Sequence, residues 1–393
     1  MDAMRPSHKE PGGWRRRCAR EPGVPVRRLP CKGTWGNYIK NKTEGVGRAM
    51  SSNLRFFDAL PAYYGDKRKL VKAIFKVAPP ASQAPTFADA FLGGGAVSVM
   101  AKALGYRVLC NDIAQRSYIV GKALVENNRV KLTDEDINRL FLETENDGFI
   151  RANFSPTVIL SKHADFLDNA FALVRAMEEG HKKYLLLLLL VKYIFSMREY
   201  KKFSTPNAFN IPMEERRIEW IKNRTYHASI KAVLKPIPEA LREFAGAVNR
   251  GVIDNAQENR AFKLDVREFL QEIQADVVYF DPPYAGTMAY EDNYHALDQI
   301  LEGRMFPARK SEFSRKDGMK FLDEVFQAAR HIPIWIASMG NAGGANDLSE
   351  LQEMVARYRR TETYRIKYRH IPAVATEEHQ AKNEEFLIVG RPR

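Results

Sequence analysis

The sequence predicts an α/β fold: a doubly wound, mostly parallel, Rossmann-like sheet with an antiparallel edge strand and a largely helical insert. Three observations predict it. The apolar run Asp276-Val277-Val278-Tyr279-Phe280 has the length and composition of a central strand and leads straight into the turn Asp281-Pro282-Pro283-Tyr284. Thr86 to Ser98 reads as a strand, a turn at Gly93-Gly94-Gly95 and a helix. About twenty residues on, Tyr106 to Asp112 reads as a second strand ending in an acid. Strands that alternate with helices need parallel crossovers, and open sheets of this kind bind ligands at their carboxyl edge.

The elements follow in order. Residues 1–50 carry Arg15-Arg16-Arg17, repeated Pro and Gly, and almost no apolar periodicity, so they cannot bury enough surface to offset chain entropy. This stretch is expected to be disordered, either as a basic arm gripping phosphates or as an upstream extension with Met50 as the true start. No apolar core follows the arginines, so it does not read as a secretory signal. Residues 51–130 hold the glycine turn and two strands. Residues 131–250 read as helical and charged, with a helix start at Thr133-Asp134-Glu135-Asp136 and a helix from Lys182 to Tyr200. The leucine run Leu185 to Leu190 lies in the latter; a membrane span needs roughly 20 apolar residues, so this is a buried helix. Residues 251–393 return to strands at Asp276 to Phe280, Pro333 to Ser338, Tyr364 to Arg369 and Glu385 to Val389, the last two able to pair antiparallel. The sheet-forming parts, 51–130 and 251–393, are thus split by the insert 131–250.

Composition bounds the partners. Of the net charge of +13, residues 1–50 contribute +8, so the remainder is only mildly basic and any nucleic-acid affinity must come from a local patch. Cys18, Cys31 and Cys110 form neither a disulfide framework nor a metal spacing, which suits a reducing, cytoplasmic setting without a metal. Pro30-Cys31 lies in the basic tail before the glycine turn and is discounted as a nucleophile.

The turn Asp281-Pro282-Pro283-Tyr284 joins a carboxylate, a stiff backbone carbonyl and an aromatic face. Methylation of an exocyclic amine needs those groups. The lone pair of adenine N6 is delocalised into its ring, and two acceptors, Asp281 and the Pro282 carbonyl, localise it by each taking one N6–H. Two prolines fix φ and remove competing donors, while Tyr284 offers a stacking face. A surface turn is the plain alternative, since Asp and Pro are ordinary turn formers. The glycine turn with its following acid signals a nucleoside cofactor; a dinucleotide enzyme also fits, and the Asp-Pro-Pro-Tyr turn decides against it.

Asp281-Pro282-Pro283-Tyr284 together with Asp89-Ala90-Phe91-Leu92-Gly93-Gly94-Gly95 resembles the Dam-like, α-group DNA adenine-N6 methyltransferases that use S-adenosylmethionine. Tyr63-Tyr64-Gly65-Asp66-Lys67 is similar to that family's N-terminal cofactor motif, with Asp66 in place of its second glycine. The motif order, cofactor first, is that of the α group. The resemblance implies that Tyr63, Lys67, Asp89, Phe91, Gly93, Gly95, Asp112 and Asp281 line the cofactor, and that Asp281 also serves the target amine. Asp265 sits where the family often has an acid near the cofactor adenine, or it caps a helix.

Two stretches could contact DNA. Lys201, Lys202, Asn207 and Asn210 open a segment to Lys235 with 8 Lys and Arg against 3 Glu. Tyr290, Asn293, Tyr294 and His295 precede Arg304, Arg309, Lys310, Arg315 and Lys316. Each stretch also reads as a solvated charged face, and His295 as a packed or capping residue. The expected activity is S-adenosylmethionine-dependent methylation of adenine N6 in double-stranded DNA, by base flipping and direct transfer. The expected setting is cytoplasmic and nucleoid-associated, with a cognate restriction endonuclease as a possible partner and no membrane. The alternatives are a cytosine-N4 or RNA adenine enzyme, and a non-catalytic DNA-binding subunit of the same fold.

Overall fold

A computed structural model describes residues 26–28, 54–63, 65–156, 158–197, 219, 222, 234–283, 290–308, 312–313, 318–340, 348–367 and 384–393. Strands form at Val26–Arg28 (β1), Thr86–Asp89 (β2), Arg107–Asn111 (β3), Arg260–Phe262 (β4), Val277–Phe280 (β5), Ile334–Gly340 (β6), Arg360–Lys367 (β7) and Glu384–Arg391 (β8). Before the long connection they are joined by α1 (Val71–Val77), α2 (Ala96–Ala103) and α3 (Gln115–Val120). The connection from β3 to β4 continues with α4 (Asp134–Arg139), α5 (Phe149–Phe154), α6 (Ser161–Arg175), α7 (His181–Ser196) and α8 (Ile237–Arg250). The last third adds α9 (Val266–Glu272), α10 (Tyr290–Glu302), α11 (Met319–Ala328) and α12 (Leu348–Tyr358).

All eight strands belong to one sheet, in the order β1-β7-β8-β6-β5-β2-β3-β4. Every neighbouring pair is parallel except those made by β8, which runs antiparallel to both β6 and β7 near one edge. From β2 the chain winds outward through β3 to β4, then returns to the other side of β2 at β5 and winds the opposite way to β6. The winding reverses between β2 and β5. That reversal opens a crevice at the carboxyl ends of these two strands, where doubly wound sheets hold ligands. Register places Asp89 opposite Tyr279, two residues before Asp281, so both acids sit at the carboxyl ends of neighbouring strands.

Alternate residues of the central strands enter two cores. Phe87, Val108, Cys110, Val277, Tyr279, Ile336 and Leu387 face one, and Ala88, Leu109, Val278, Phe280, Trp335 and Ile388 face the other. Strands buried on both faces need apolar side chains at successive positions, which explains the unbroken run ending at Phe280. The first core continues without a break into the apolar faces of α4, α6, α7 and α8, whereas α9, α11 and α12 cover the second. The described helices between residues 131 and 250 therefore pack on the sheet and share its core.

Helix α7 carries the leucine run with Leu185, Leu188, Leu189 and Leu190 fully buried. Its Lys192 donates to the carbonyls of Asp58 and Leu60, ending the short helix at Arg55–Ala59; burial pushes this ammonium down to about 7. No described helix is long and apolar enough to cross a membrane. Thr133 starts α4 through a capping box: its side chain accepts from Asp136 N–H while Asp136 accepts from Thr133 N–H. One expectation needs correction. Val26–Arg28, expected to be disordered with the rest of residues 1–50, pair in parallel with Thr363 to Arg365 of β7. An open sheet edge offers unpaired N–H and C=O groups, and these can order a short segment that has no core of its own.

Candidate active site

At the end of β5, Asp281 stands in a cluster of buried charge. Lys67 Nζ lies 2.7 Å from Glu385 Oε1 and 3.2 Å from Asp281 Oδ1. The Lys67 and Glu385 side chains are 9% and 6% exposed while Asp281 keeps 18%, so Asp281 is the member that looks into the crevice. Ser338 Oγ donates to the same Asp281 Oδ1 at 2.9 Å, and Tyr279 OH completes a relay to Ser338 at 2.8 Å. Both contacts fall on one oxygen and fix the carboxylate plane. Burial pushes the Asp281 pKa up; Lys67 pulls it down and Glu385 pushes it up again. Breaking such a buried ion pair costs about 3–5 kcal/mol, because it strands a charge. Pro282 is buried behind this carboxylate and Pro283 half-buried.

On the β2 side, the chain leaves Asp89 through Phe91 into the glycine turn. Gly93 and Gly95 have φ of +52° and +81°, a left-handed backbone that L side chains rarely adopt. A Cβ at Gly94 would lie 2.7 Å from Tyr63 Cβ, so the tyrosine seals the turn only because no side chain is there. Asp112, at the end of β3, accepts from Gly93 N–H at 2.8 Å and from Ala114 N–H at 2.9 Å. Each carboxylate oxygen can accept more than one hydrogen bond, so ribose hydroxyls can still be bound. Asp89 itself is buried and accepts from Ser98 Oγ at 2.6 Å, while its Oδ1 has no hydrogen-bond partner among the described residues. Burial pushes its pKa up to about 7.

Phe91 packs edge-on to Phe313, with centroids 5.5 Å apart. Asp265 caps α9, accepting from Arg267 N–H at 2.8 Å and from its guanidinium at 2.9 and 3.0 Å. The capping reading of Asp265 therefore holds, on the same carboxyl edge as Asp89, Asp112 and Asp281. Tyr294 corrects an expectation: it is fully buried and does not offer itself to DNA. Its ring stacks on Tyr63 at 5.1 Å and 17°, and the Arg116 guanidinium lies 4.6 Å from its centroid. Arg116 is paired with Asp298 of the same helix α10. An aromatic with this much apolar surface gains more from the core than from a wet groove.

Tyr284, Lys201, Lys202, Asn207, Asn210, Arg309 and Lys310 lie outside the described residues, as do Arg315 and Lys316. Sequence reasoning missed Glu385, Ser338 and Arg116. Glu385 had one visible signal: an acid opening an otherwise apolar strand, where burial demands a cation.

The carboxyl edge thus joins a glycine turn closed by Tyr63, an acceptor at Asp112 and the fixed carboxylate of Asp281. No group of three or more His, Cys, Asp or Glu able to hold a metal occurs among the described residues.

Comparison with known proteins agrees with this geometry. The chain is 28% identical over 336 residues to the type II methyltransferase M2.HphI of Haemophilus parahaemolyticus, covering 84% of this chain and 97% of that protein. It is 29% identical over 255 residues to modification methylase StsI of Streptococcus sanguinis, covering 61% of this chain and 36% of that longer protein. It is 26% identical over 243 residues to the type II methyltransferase M.FokI of Planomicrobium okeanokoites, covering 55% of this chain and 33% of that protein. The family profile of D12 class N6 adenine-specific DNA methyltransferases matches residues 63–333, which span the segment Tyr63 to Lys67, the glycine turn and the Asp-Pro-Pro-Tyr turn. The chain belongs to the D12 class of N6 adenine-specific DNA methyltransferases, enzymes of site-specific adenine methylation.

Proposed function

We propose that the protein takes the methyl group of S-adenosylmethionine to the N6 amine of an adenine flipped out of double-stranded DNA, in one direct step. The observation that carries this reading is Asp281, fixed at the β2–β5 crevice by Lys67 and Ser338 and backed by two prolines. S-adenosylmethionine supplies an electrophilic methyl on a sulfonium. Asp281 and the Pro282 carbonyl accept the two N6–H groups, which localises the lone pair on nitrogen. The N6 lone pair takes the methyl, the S–C bonding pair stays on sulfur, and one N6 proton is lost to Asp281 and then to water. The raised pKa of Asp281 favours that acceptance. Asp112 would hold the ribose hydroxyls and Tyr63 would close the cofactor turn.

Base flipping is required because N6 is buried in the duplex, and Tyr284 would stack on the extruded base. The helical stretch 131–250 serves as the target-recognition region. Lys201, Lys202, Asn207, Asn210, Arg309 and Lys310 contact the DNA, acting on phosphates and base edges. The protein works in the cytoplasm on the nucleoid. The type II relatives support a place beside a restriction endonuclease of the same specificity. Incubation of the full chain with methyl-labelled S-adenosylmethionine and DNA, followed by nucleoside analysis, tests the reading. Label is expected in N6-methyl-2′-deoxyadenosine from duplex DNA; label in N4-methyl-2′-deoxycytidine or only in RNA nucleosides would overturn it.

A further inference from the structure

Lys67 stands between two carboxylates and lies nearer to the one that cannot touch substrate. Glu385, on the reversed strand β8, takes the 2.7 Å contact, and Asp281 takes the 3.2 Å contact. An ammonium paired with Asp281 alone would hold that carboxylate tightly ionised and leave it a weak proton acceptor. We propose that Glu385 is a positioning residue: it draws Lys67 back and shares its charge, leaving Asp281 ionised, fixed in orientation and basic enough to take a proton from the target amine. The inference rests on the reading of Asp281 as the N6–H acceptor.

Geometry supports it from each element around Asp281. Lys67 arrives from the turn before α1, Glu385 from β8, Ser338 from β6 backed by Tyr279 of β5, and Asp89 from β2. Lys67 is the cation among these groups, and two of the acids contact it directly. Opposing influences also meet at Asp281, where Lys67 lowers the pKa and Glu385 raises it. Glu385 reaches no substrate itself, since only 6% of its side chain is exposed.

Single-turnover methyl transfer of the full chain, followed against pH, tests the inference. Asp281 works ionised, so its titration sets the acid limb of the profile. Glu385→Gln removes a like charge and lets Lys67 close on Asp281, so the limb is expected to move to lower pH by about one unit or more. The plateau rate is expected to fall about tenfold to a hundredfold, as for a displaced reacting group. Lys67→Met is expected to move the limb the other way. Glu385→Asp, which keeps the charge but retracts it, shifts the limb in the direction of Glu385→Gln by less and carries the test should the glutamine variant fail to fold. A merely structural role would lower the rate and leave the limb in place, which overturns the inference. So would calorimetry in which Glu385→Gln tightens S-adenosylmethionine binding while rate and limb stay unchanged, because Lys67 would then serve the cofactor alone. A parent enzyme that methylates no adenine would overturn the reading of Asp281 and this inference with it; an active parent with an unmoved limb overturns the inference only.

Discussion

Gly93 and Asp112 lie 19 residues apart and bond directly, whereas Lys67 and Glu385 lie 318 residues apart and meet only because β8 folds back beside β6. The first pair builds the side of the crevice proposed for the cofactor, and the second builds the side proposed for the chemistry. On the cofactor side, backbone conformation sets the geometry: two left-handed glycines, an N–H aimed at an acid, an aromatic ring laid on the turn. On the other side buried charge sets it, and each member depends on a partner from a distant strand. A local device can be changed piecemeal, while a buried charge cluster responds as a unit. Mutations should therefore separate the two sides.

The largest effect is expected at Asp281→Asn, which replaces an acceptor by an amide with donors of its own. Single-turnover transfer should fall by about 10²- to 10³-fold, the usual loss of one group acting on a developing charge. Its affinity for S-adenosylmethionine, measured by calorimetry, should change far less, and a parallel loss of both would erase the division of labour.

Asp112→Ala tests the opposite side. It removes the partner of Gly93 N–H and the proposed ribose acceptor, so cofactor affinity should weaken by about 1.5–3 kcal/mol. The transfer rate at saturating cofactor should stay near that of the parent. Gly94→Ala sharpens the same point, since its new methyl would meet Tyr63 Cβ at 2.7 Å. Overpacking of this kind costs about 1–3 kcal/mol and should appear as weaker cofactor binding and a lower melting temperature. Adding Tyr63→Gly, which removes that Cβ, should relieve the clash, so the two changes together should cost less than their sum.

The smallest effect concerns Asp89, whose carboxyl is pushed by burial from 3.8 to about 7. A folded-state pKa above the unfolded one means that the contribution to stability is complete below pH 3.8 and is lost as pH rises through about 7. Asp89→Asn has no such titration. Urea unfolding at about pH 5 and about pH 8 should show the variant gaining on the parent at the higher pH. Equal pH dependence in both proteins would mean that Asp89 carries its charge in the folded state.

The same contrast explains what could be read from the sequence. Asp281-Pro282-Pro283 and the stretch from Asp89 to Gly95 are contiguous, so their place at strand ends follows from one apolar run and one glycine turn. Asp112 follows from the strand before it. Nothing local links Lys67 with Glu385, because that contact requires the reversal of β8 between β6 and β7. Tyr294 misled for a related reason: a tyrosine among polar residues reads as a surface group until Tyr63, Phe195 and Arg116 are seen around it. Three residues at 26–28 likewise gain order from the partner edge of β7 and not from their own composition.

The carboxylate at the end of β5 is proposed to drive methylation of adenine N6 at one DNA sequence. Expression of the full chain in a host lacking adenine methylation, with modified bases mapped by long-read sequencing, tests it most directly when parent and Asp281→Asn are compared. The parent is predicted to leave N6-methyladenine at a single recurring sequence context and the variant to leave almost none. Adenine marks that persist unchanged in the variant, or a parent that marks cytosine alone, would show that Asp281 does not play this part.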